Sequence, residues 1–545
     1  MIRRLRRPVS IRYDQQVPRP LVPKSPFPLT PHGGFMTRFV CLVALVAAVL
    51  VAPLAAPAAP EGQLTWGVHI TLAPTYFDPA ETPGLVTPFM ILYALHDALV
   101  KPMPGQPFAP SLAESWTASK DGLTYEFVLR KGVKFHNGEP VTAEDVKFSF
   151  ERYRGSAATL LRSKVARVET PDARRVRLVL KQPWADFMTF YASPATGAAW
   201  IVPKAYVEKV GEDGFKKAPI GAGPYRFVSF KPGVELTLEA NEGYWRKAPS
   251  VKTLLFRVIT DESTRLAALK RGEVDIAYSF TGPLAEELKR TPGLTLAHVY
   301  PPFTAWAYPT EQWDPKSPWA DARVRRAASL AIDRLAINQS QYLGLARMQS
   351  GIVPENQEYY WAAPKPVYDP KRAQQLLAEA GYPNGFDAGE VVGDTIYGTA
   401  MGEPVANFLQ AIGIRTRLRT LERAAFTSAF GERKLRGLIL ATSGASGNAA
   451  TRLETFAVSG SRFVYGTYPD IDGLFAEQVN EQNPRVRKQL LDRAQQLIDE
   501  RVVFIPVMGS IFINGVGSRP EVHGLGLLSY YPYSAPYEDL KLKKK

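Results

Sequence analysis

The chain has 545 residues, too many for one small hydrophobic core, and its 46% hydrophobic and 22% charged residues are ordinary for a globular protein. Residues 1–60 hold half of the net charge of +14, and the later basic residues are scattered among acids, which argues against a nucleic-acid-binding protein. The single cysteine, Cys41, excludes an internal disulfide framework and a cysteine zinc site.

The N-terminus carries a predicted export signal. Met36-Thr-Arg38 precedes an apolar run over 39–54 and a small-residue segment over 55–60. This order is typical of a secretory signal peptide, and the run is too short and proline-broken for a membrane span of about 20 residues. We predict a disordered extension or a wrong start over 1–35, a signal peptide over 36–59, and a periplasmic mature protein that does not span the membrane.

Strand and helix signals alternate along the mature chain. Period-two hydrophobic patterns predict strands, in chain order at 63–70, 125–130, 174–180 and 235–239. Capping residues predict helices that begin after Thr142, Asp261, Asp369 and Asn483. The last of these helices has a predicted apolar stripe of Val486, Leu490, Ala494, Leu497 and Ile498, and a strand is predicted to follow at 502–505. These signals indicate an α/β chain.

Residues that carry enzyme chemistry do not occur in a recognised arrangement. None of the six histidines has metal-ligand spacing with another. Gly221-Ala-Gly223-Pro224 lacks the third glycine of a dinucleotide loop and predicts a turn, and Ser446 lacks the spacing of a nucleophile elbow. The sequence therefore favours a protein that is not an enzyme and has neither a cofactor nor a metal site.

Several sequence blocks resemble the family 5 extracellular solute-binding proteins, the peptide/nickel group of ABC importer components. The blocks follow the family's order through the mature chain. They are Pro110-Ser-Leu-Ala-Glu-Ser-Trp116, Leu129-Arg-Lys-Gly-Val-Lys-Phe-His-Asn-Gly-Glu-Pro140, Pro219-Ile-Gly-Ala-Gly-Pro-Tyr-Arg-Phe227, Asn241-Glu-Gly-Tyr-Trp245, Val324-Arg-Arg-Ala-Ala328 and Tyr368-Asp-Pro-Lys371. Their glycines, prolines and capping residues indicate scaffold roles more than ligand contacts.

The resemblance implies a two-lobed periplasmic-binding-protein-like fold of type II, in the large cluster with an extra subdomain in lobe I. Lobe I is expected at 60–304 and 504–545, with the extra subdomain at about 99–217, and lobe II at 305–503. A ligand that contacts both lobes shifts the protein toward a closed form. The implied partners are the ligand and the membrane permease of an importer whose ATPase is a separate subunit, and the binding protein is expected to be a monomer.

The resemblance also suggests where a ligand binds. Peptide-binding relatives present an aspartate, beside a tryptophan, to the ligand's amino terminus, and the corresponding stretch at 438–448 has neither residue. Because a buried ammonium without an anion is costly, this departure puts ordinary peptide recognition in doubt. The candidate polar contacts in the stretch are Thr442, Ser443, Ser446 and Asn448; a flexible surface loop is the alternative.

Further candidates come from the expected lobe crossing and the first loop. Trp306 and Tyr308 are expected beside the cleft, where they would stack on a ring or line an apolar slot; core packing is the alternative. Three residues follow the first strand, where relatives place a ligand-facing loop: Glu81, Thr82 and Gly84. Tyr225 and Tyr465 complete the candidate set.

Three functional hypotheses remain open at this point. The first is capture of a peptide or similarly sized organic solute for import. The second is a nickel-type metal-chelate binding protein of the same importer class, which needs aromatic and arginine contacts more than histidine ligands. The third is a periplasmic chaperone or hydrolase built on this scaffold, against which the missing catalytic motifs argue.

Overall fold

The computed structural model describes residues 59–81, 87–155, 157–192, 196–301, 303–394, 397–443, 447–461, 463–528 and 531–544. The extension predicted over 1–35 lies outside the described residues. So does all but the last residue of the signal peptide predicted over 36–59.

The strands and helices of the described residues are numbered here in chain order. The strands are β1 Glu61–Val68, β2 Asp97–Ala98, β3 Val100–Met103, β4 Gln106–Pro110, β5 Ala113–Ala118, β6 Thr124–Leu129, β7 Val165–Asp172, β8 Arg175–Leu180, β9 Trp200–Ile201, β10 Tyr225–Lys231, β11 Glu235–Ala240, β12 Val251–Val258, β13 Ile276–Phe280, β14 Thr295–Val299, β15 Thr304–Pro309, β16 Phe386–Asp394, β17 Ile414–Leu421, β18 Leu438–Ser443, β19 Ile505–Gly509, β20 Phe512–Val516, β21 Pro520–Val522 and β22 Lys541–Leu542. The α-helices are α1 Thr87–Leu95, α2 Ala143–Arg152, α3 Ala158–Lys164, α4 Phe187–Tyr191, α5 Lys204–Lys217, α6 Glu262–Lys270, α7 Gly282–Arg290, α8 Ala322–Ala331, α9 Arg334–Tyr342, α10 Pro370–Glu379, α11 Tyr397–Ala411, α12 Arg423–Gly431, α13 Ala449–Phe456, α14 Pro469–Asn480 and α15 Pro484–Glu500.

A seven-stranded mixed sheet forms the centre of the first lobe. Its strand order is β10-β11-β12-β1-β13-β20-β14. Strand β1 runs parallel to β12 and β13, whereas β20 runs antiparallel to both of its neighbours. We call the part of the chain built on this sheet lobe I.

Between β1 and β10, the chain forms a smaller antiparallel sheet in the order β5-β6-β8-β7, together with the β3–β4 hairpin. Helices α2 to α5 accompany these strands. They fall within the range expected for the extra subdomain, at about 99–217.

A second mixed sheet, in the order β17-β16-β18-β15-β19, forms the centre of what we call lobe II. The chain passes from the first sheet to the second between β14 and β15, close to the crossing expected near residue 305. It returns between β19 and β20, several residues after the crossing expected near 503. The reason is that β19 pairs with β15 and so belongs to lobe II.

Just before β19, the prediction of a strand over 502–505 is wrong. Residues 502–504 form the turn that ends α15, in which the Val503 amide donates to the Ile498 carbonyl at 3.0 Å. Val502 has a φ of 48°, which is a left-handed helix-ending conformation. The strand therefore begins at Ile505.

Local capping chemistry starts the predicted helices. The side chains of Asp261, Asp369 and Asn483 accept hydrogen bonds from main-chain amides two or three residues later, at 2.7 to 3.0 Å. The Thr142 amide donates to the Asp145 carboxylate at 2.8 Å, one half of the predicted capping box. The four helix starts are confirmed, because each cap satisfies an amide that the helix itself leaves unpaired.

Two signature blocks have packing roles in lobe I. A side chain on Gly221 would place its Cβ 2.0 Å from the Leu95 carbonyl oxygen, so this close approach requires glycine. Tyr244 and the Trp245 indole donate hydrogen bonds to the fully buried Asp97 at 2.9 and 2.6 Å. Both blocks therefore act as scaffold.

Candidate ligand-binding cleft

The two crossing segments hold the lobes together at one end of the seam between them. The Tyr300 hydroxyl donates to the Leu345 carbonyl at 2.9 Å, and the Arg347 guanidinium stacks 4.2 Å from the centre of the Tyr300 ring. In the return segment, the Ser510 amide donates to the Phe303 carbonyl at 3.0 Å. These contacts form the base of a cleft between the lobes.

A cavity of about 440 Å³ lies beside these crossing segments and is lined by both lobes. Lobe I contributes the β3–β4 hairpin and the end of β14, and lobe II contributes Arg347 and Asn356. The polar side chains of its lining are Gln106, His298, Tyr300, Arg347 and Asn356. Among the described residues that line the cavity, none is a carboxylate, so it favours neutral and anionic groups.

Aromatic side chains of lobe I stand where the parallel strands β1 and β13 end. His69 follows β1, and its Nε2 lies 3.3 Å from the Tyr533 hydroxyl. The Tyr533 ring also contacts the rings of Tyr278 and Phe512, with centroids 4.5 and 4.9 Å apart. The carboxyl ends of parallel strands are where open α/β sheets bind ligands, so we expect this edge to border the candidate cleft.

A third contact joins the extra sheet's helices to lobe II. Asp186, which precedes α4, accepts a hydrogen bond from the Asn448 amide at 2.7 Å and pairs with Arg487 of α15. All three residues are buried. One step along, Gly447 approaches Thr189 so closely that a Cβ would lie 2.9 Å from its Cγ2. The lobes are therefore in contact at this point as well as at the crossing segments.

Trp306 and Tyr308 lie in β15 and are almost completely buried in lobe II. The Trp306 ring packs edge-on against Phe504 at 4.9 Å and Phe456 at 5.4 Å. The Tyr308 hydroxyl accepts from the Trp313 indole at 3.1 Å, and burial raises the pKa of Tyr308 to about 12. Neighbouring aromatics cover both rings, as the core-packing alternative predicts, and we therefore expect Trp306 to make no direct ligand contact.

Tyr225 and Tyr465 also make internal contacts. The Tyr225 hydroxyl donates to the Val251 carbonyl at 2.8 Å inside the lobe I core, and burial raises its pKa. The ring is fully buried in the core, and a role for Tyr225 in ligand binding stays a prediction. Tyr465 is half-buried, and its hydroxyl accepts the Leu435 amide at 3.2 Å.

Glu81 forms ion pairs with basic residues of lobe I. Its carboxylate pairs with Arg154 at 2.8 Å and with Lys216 at 3.4 Å. Glu81 therefore has ion-pair partners in lobe I, and its role as a ligand contact stays a prediction. The neighbouring candidates Thr82 and Gly84 lie outside the described residues.

The stretch that replaces the peptide anchor connects β18 to α13. Thr442 is half-buried near the end of β18, opposite Ala305 of β15, and the Ser443 backbone ends the strand. Ser446 lies outside the described residues, as does the Ser443 side chain. Asn448 caps α13 by accepting a hydrogen bond from the Thr451 main-chain amide at 3.2 Å. Its side-chain amide donates to the Asp186 carboxylate. Asn448 is therefore an interlobe contact in this conformation, and its role as a ligand contact stays a prediction.

Sequence reasoning missed Asp186 and Arg487. The predicted stripe of α15 included Val486, which is 37% exposed, whereas Arg487 and Leu491 face inward. An arginine on the buried side of a helix violates the hydrophobic pattern, and that violation was the available signal. Its partner lies 301 residues earlier in the chain, which periodicity does not reveal.

The described residues contain no cluster of three or more His, Cys, Asp or Glu side chains suited to a metal ion. None of their helices has the length and the apolar character needed to cross a membrane.

Two sheet-centred lobes, crossed twice by the chain, with a polar cavity lined by both lobes, have the architecture of a two-lobed solute-binding protein. The family model for bacterial extracellular solute-binding proteins, family 5, matches residues 107–463. The chain belongs to this family, and its role is that of the substrate-binding component of an ABC importer.

Curated relatives agree with this assignment, and a solved structure shares the fold. The chain is 31% identical over 421 residues to the glutathione-binding protein GsiB of Salmonella choleraesuis, which covers 73% of this chain and 80% of that protein. It is 29% identical to the heme-binding protein A of Haemophilus influenzae over 74% of this chain and 79% of that protein. The fold matches the dipeptide-binding protein of Pseudoalteromonas sp. SM9913 in complex with Met-Leu, with a TM-score of 0.75 and 22% identity, over 88% of this chain and all of that one.

Proposed function

We propose that this chain is an exported, non-enzymatic protein that captures a short peptide or a similarly sized organic solute between its lobes. It then delivers the solute, as a monomer, to a membrane permease. The cavity of about 440 Å³ between the lobes carries the proposal, since its volume is in the range of small-molecule sites. The peptide-like ligands named for relatives support the same class of solute.

The charged residues near the contact between the lobes restrict the chemical class of the ligand further. Asp186, a carboxylate at the lobe contact, is already engaged by Asn448 and Arg487. Arg347 reaches the cavity with its guanidinium on the Tyr300 ring and one hydrogen bond to Glu355 at 2.6 Å. A guanidinium has five donors, so several remain for a ligand carboxylate. We therefore propose that the solute is held by a carboxylate and not by a free amino terminus.

A binding screen on purified residues 60–545 tests this proposal. Thermal shift followed by calorimetry compares short peptides in free, N-acetylated and C-amidated forms, with glutathione included. We expect acetylated peptides to bind within about threefold of the free ones and amidated peptides to bind roughly tenfold more weakly, because only amidation removes a charge-assisted hydrogen bond. A ligand at a hundred times its Kd stabilises by about 2.7 kcal/mol, which the shift detects.

Paired variants locate the carboxylate contact. Arg347→Gln is expected to abolish the preference for a free carboxylate. Arg372→Gln, which breaks an exposed ion pair with Glu379 elsewhere on lobe II, is expected to leave binding unchanged. Binding that needs a free amino group, or no stabilisation by any of these solutes, contradicts the proposal. Nickel or iron found by metal analysis of the protein as purified favours a metal-chelate ligand instead.

A further inference from the structure

We propose that Asp186, Asn448 and Arg487 form an interlobe clasp that holds the closed form together without contacting the solute. In this view the three residues are positioning residues for binding. They set the ratio of closed to open molecules, whatever the ligand is. The inference is therefore independent of the ligand class proposed above.

Asp186 is fixed firmly to lobe I. It directly precedes α4, whose Phe187 ring packs against Tyr125 of β6 at 4.3 Å. Trp184, two residues earlier, stacks on Phe190 at 5.2 Å. These aromatic contacts hold the carboxylate at the surface where lobe I meets lobe II.

The two lobe II members are held in place by lobe II itself. Arg487 donates from Nε to the Gln478 side chain at 2.9 Å, and its guanidinium lies 5.1 Å from the Tyr359 ring centre. Asn448 is oriented by capping α13. Because both donors are preorganised, little side-chain entropy is lost when Asp186 arrives between them.

The clasp is buried at the contact between the lobes. The Arg487 and Asp186 side chains are 4% and 8% exposed, and Asp186 accepts from two donors, which balances the cost of burying a charge pair. When the lobes separate, water solvates both partners. The clasp therefore contributes to closure and not to the internal stability of either lobe.

The backbone beside the clasp supports close contact. Gly447 has a φ of 116°, and an added Cβ would lie 2.9 Å from the Thr189 Cγ2 atom. A glycine at this point lets the two lobes approach until Asp186 reaches its donors. Since apparent affinity scales with the binding-competent fraction of molecules, the clasp raises affinity for the solute.

Electron–electron distance measurements on unliganded protein test the clasp. The single cysteine, Cys41, is absent from residues 60–545, so Gln182→Cys and Gln489→Cys provide two unique label sites on exposed positions near the clasp. Against this labelled parent, Asp186→Asn and Arg487→Gln are each expected to lower the ratio of closed to open molecules roughly tenfold. Arg177→Gln, which breaks the ion pair with Glu126 within lobe I, serves as control and is expected to keep the parent distribution.

The two clasp variants remove the charge from opposite lobes, so the same shift in both assigns the effect to the pair. Circular dichroism checks that each variant folds, and a variant that does not fold leaves the other as the test. A parent with only the long distance, or clasp variants with the parent's distribution, overturns the proposal.

Discussion

Replacing Trp306 by alanine is expected to lower the free energy of unfolding by about 3–5 kcal/mol, the range for truncating a buried tryptophan. The indole is completely buried in lobe II and contacts the Phe430, Phe456 and Phe504 rings. Its removal leaves a cavity in the lobe II core, because the surrounding side chains relax only partly. Denaturant unfolding of residues 60–545 measures the loss.

The same variant separates a packing role from a ligand contact. Below its unfolding transition, Trp306→Ala is expected to bind solute within about twofold of the parent, because the ring's described contacts are internal to lobe II. Trp116→Ala, at a half-buried position on the small sheet, is the control and should lose less stability. A large loss of affinity with unchanged stability would instead indicate that Trp306 contacts the solute in the cleft.

Asp97→Ala is expected to destabilise lobe I by about 3–5 kcal/mol, because it removes the carboxylate that pairs with the buried Lys101 ammonium. Lys101 lies 2.5 Å from the Asp97 carboxylate, and both side chains are nearly inaccessible to solvent. Ser111 donates to the same carboxylate at 2.8 Å, in addition to Tyr244 and Trp245. Thermal and denaturant unfolding measure the effect.

Two further variants identify the cause of that loss. Asp97→Ala combined with Lys101→Met is expected to recover part of the stability, since the buried ammonium that lost its carboxylate partner is also removed. Glu169→Gln, which removes an exposed ion pair with Arg167 at 2.7 Å, is expected to change stability by less than about 1 kcal/mol. Equal effects of Asp97→Ala and Glu169→Gln contradict the assignment of Asp97 as the organising charge of this network.

Local signals in the sequence predict much of the fold. Asp261, Asp369 and Asn483 each start a helix through a bond to an amide two or three residues away, so the capping residue alone is informative. The family blocks are equally readable, because Gly221 and Trp245 serve local packing that the family shares.

Local sequence signals do not predict contacts between residues that lie far apart in the chain. The return crossing comes late because β19 pairs with β15, a partner about 200 residues earlier, and no local pattern records that pairing. The sequence does not show that Asn448 bonds to Asp186, because the two residues lie 262 positions apart. The sequence does not reveal the environment of a candidate site residue when contacts between the two lobes determine it.

Small-angle X-ray scattering of purified residues 60–545, with and without a saturating solute from the binding screen, tests the central claim most directly. Capture between two lobes predicts a smaller radius of gyration in the bound protein, together with a scattering curve that matches the closed form described here. Saturable binding with an unchanged radius of gyration, from a protein that is open in both states, would contradict capture by closure.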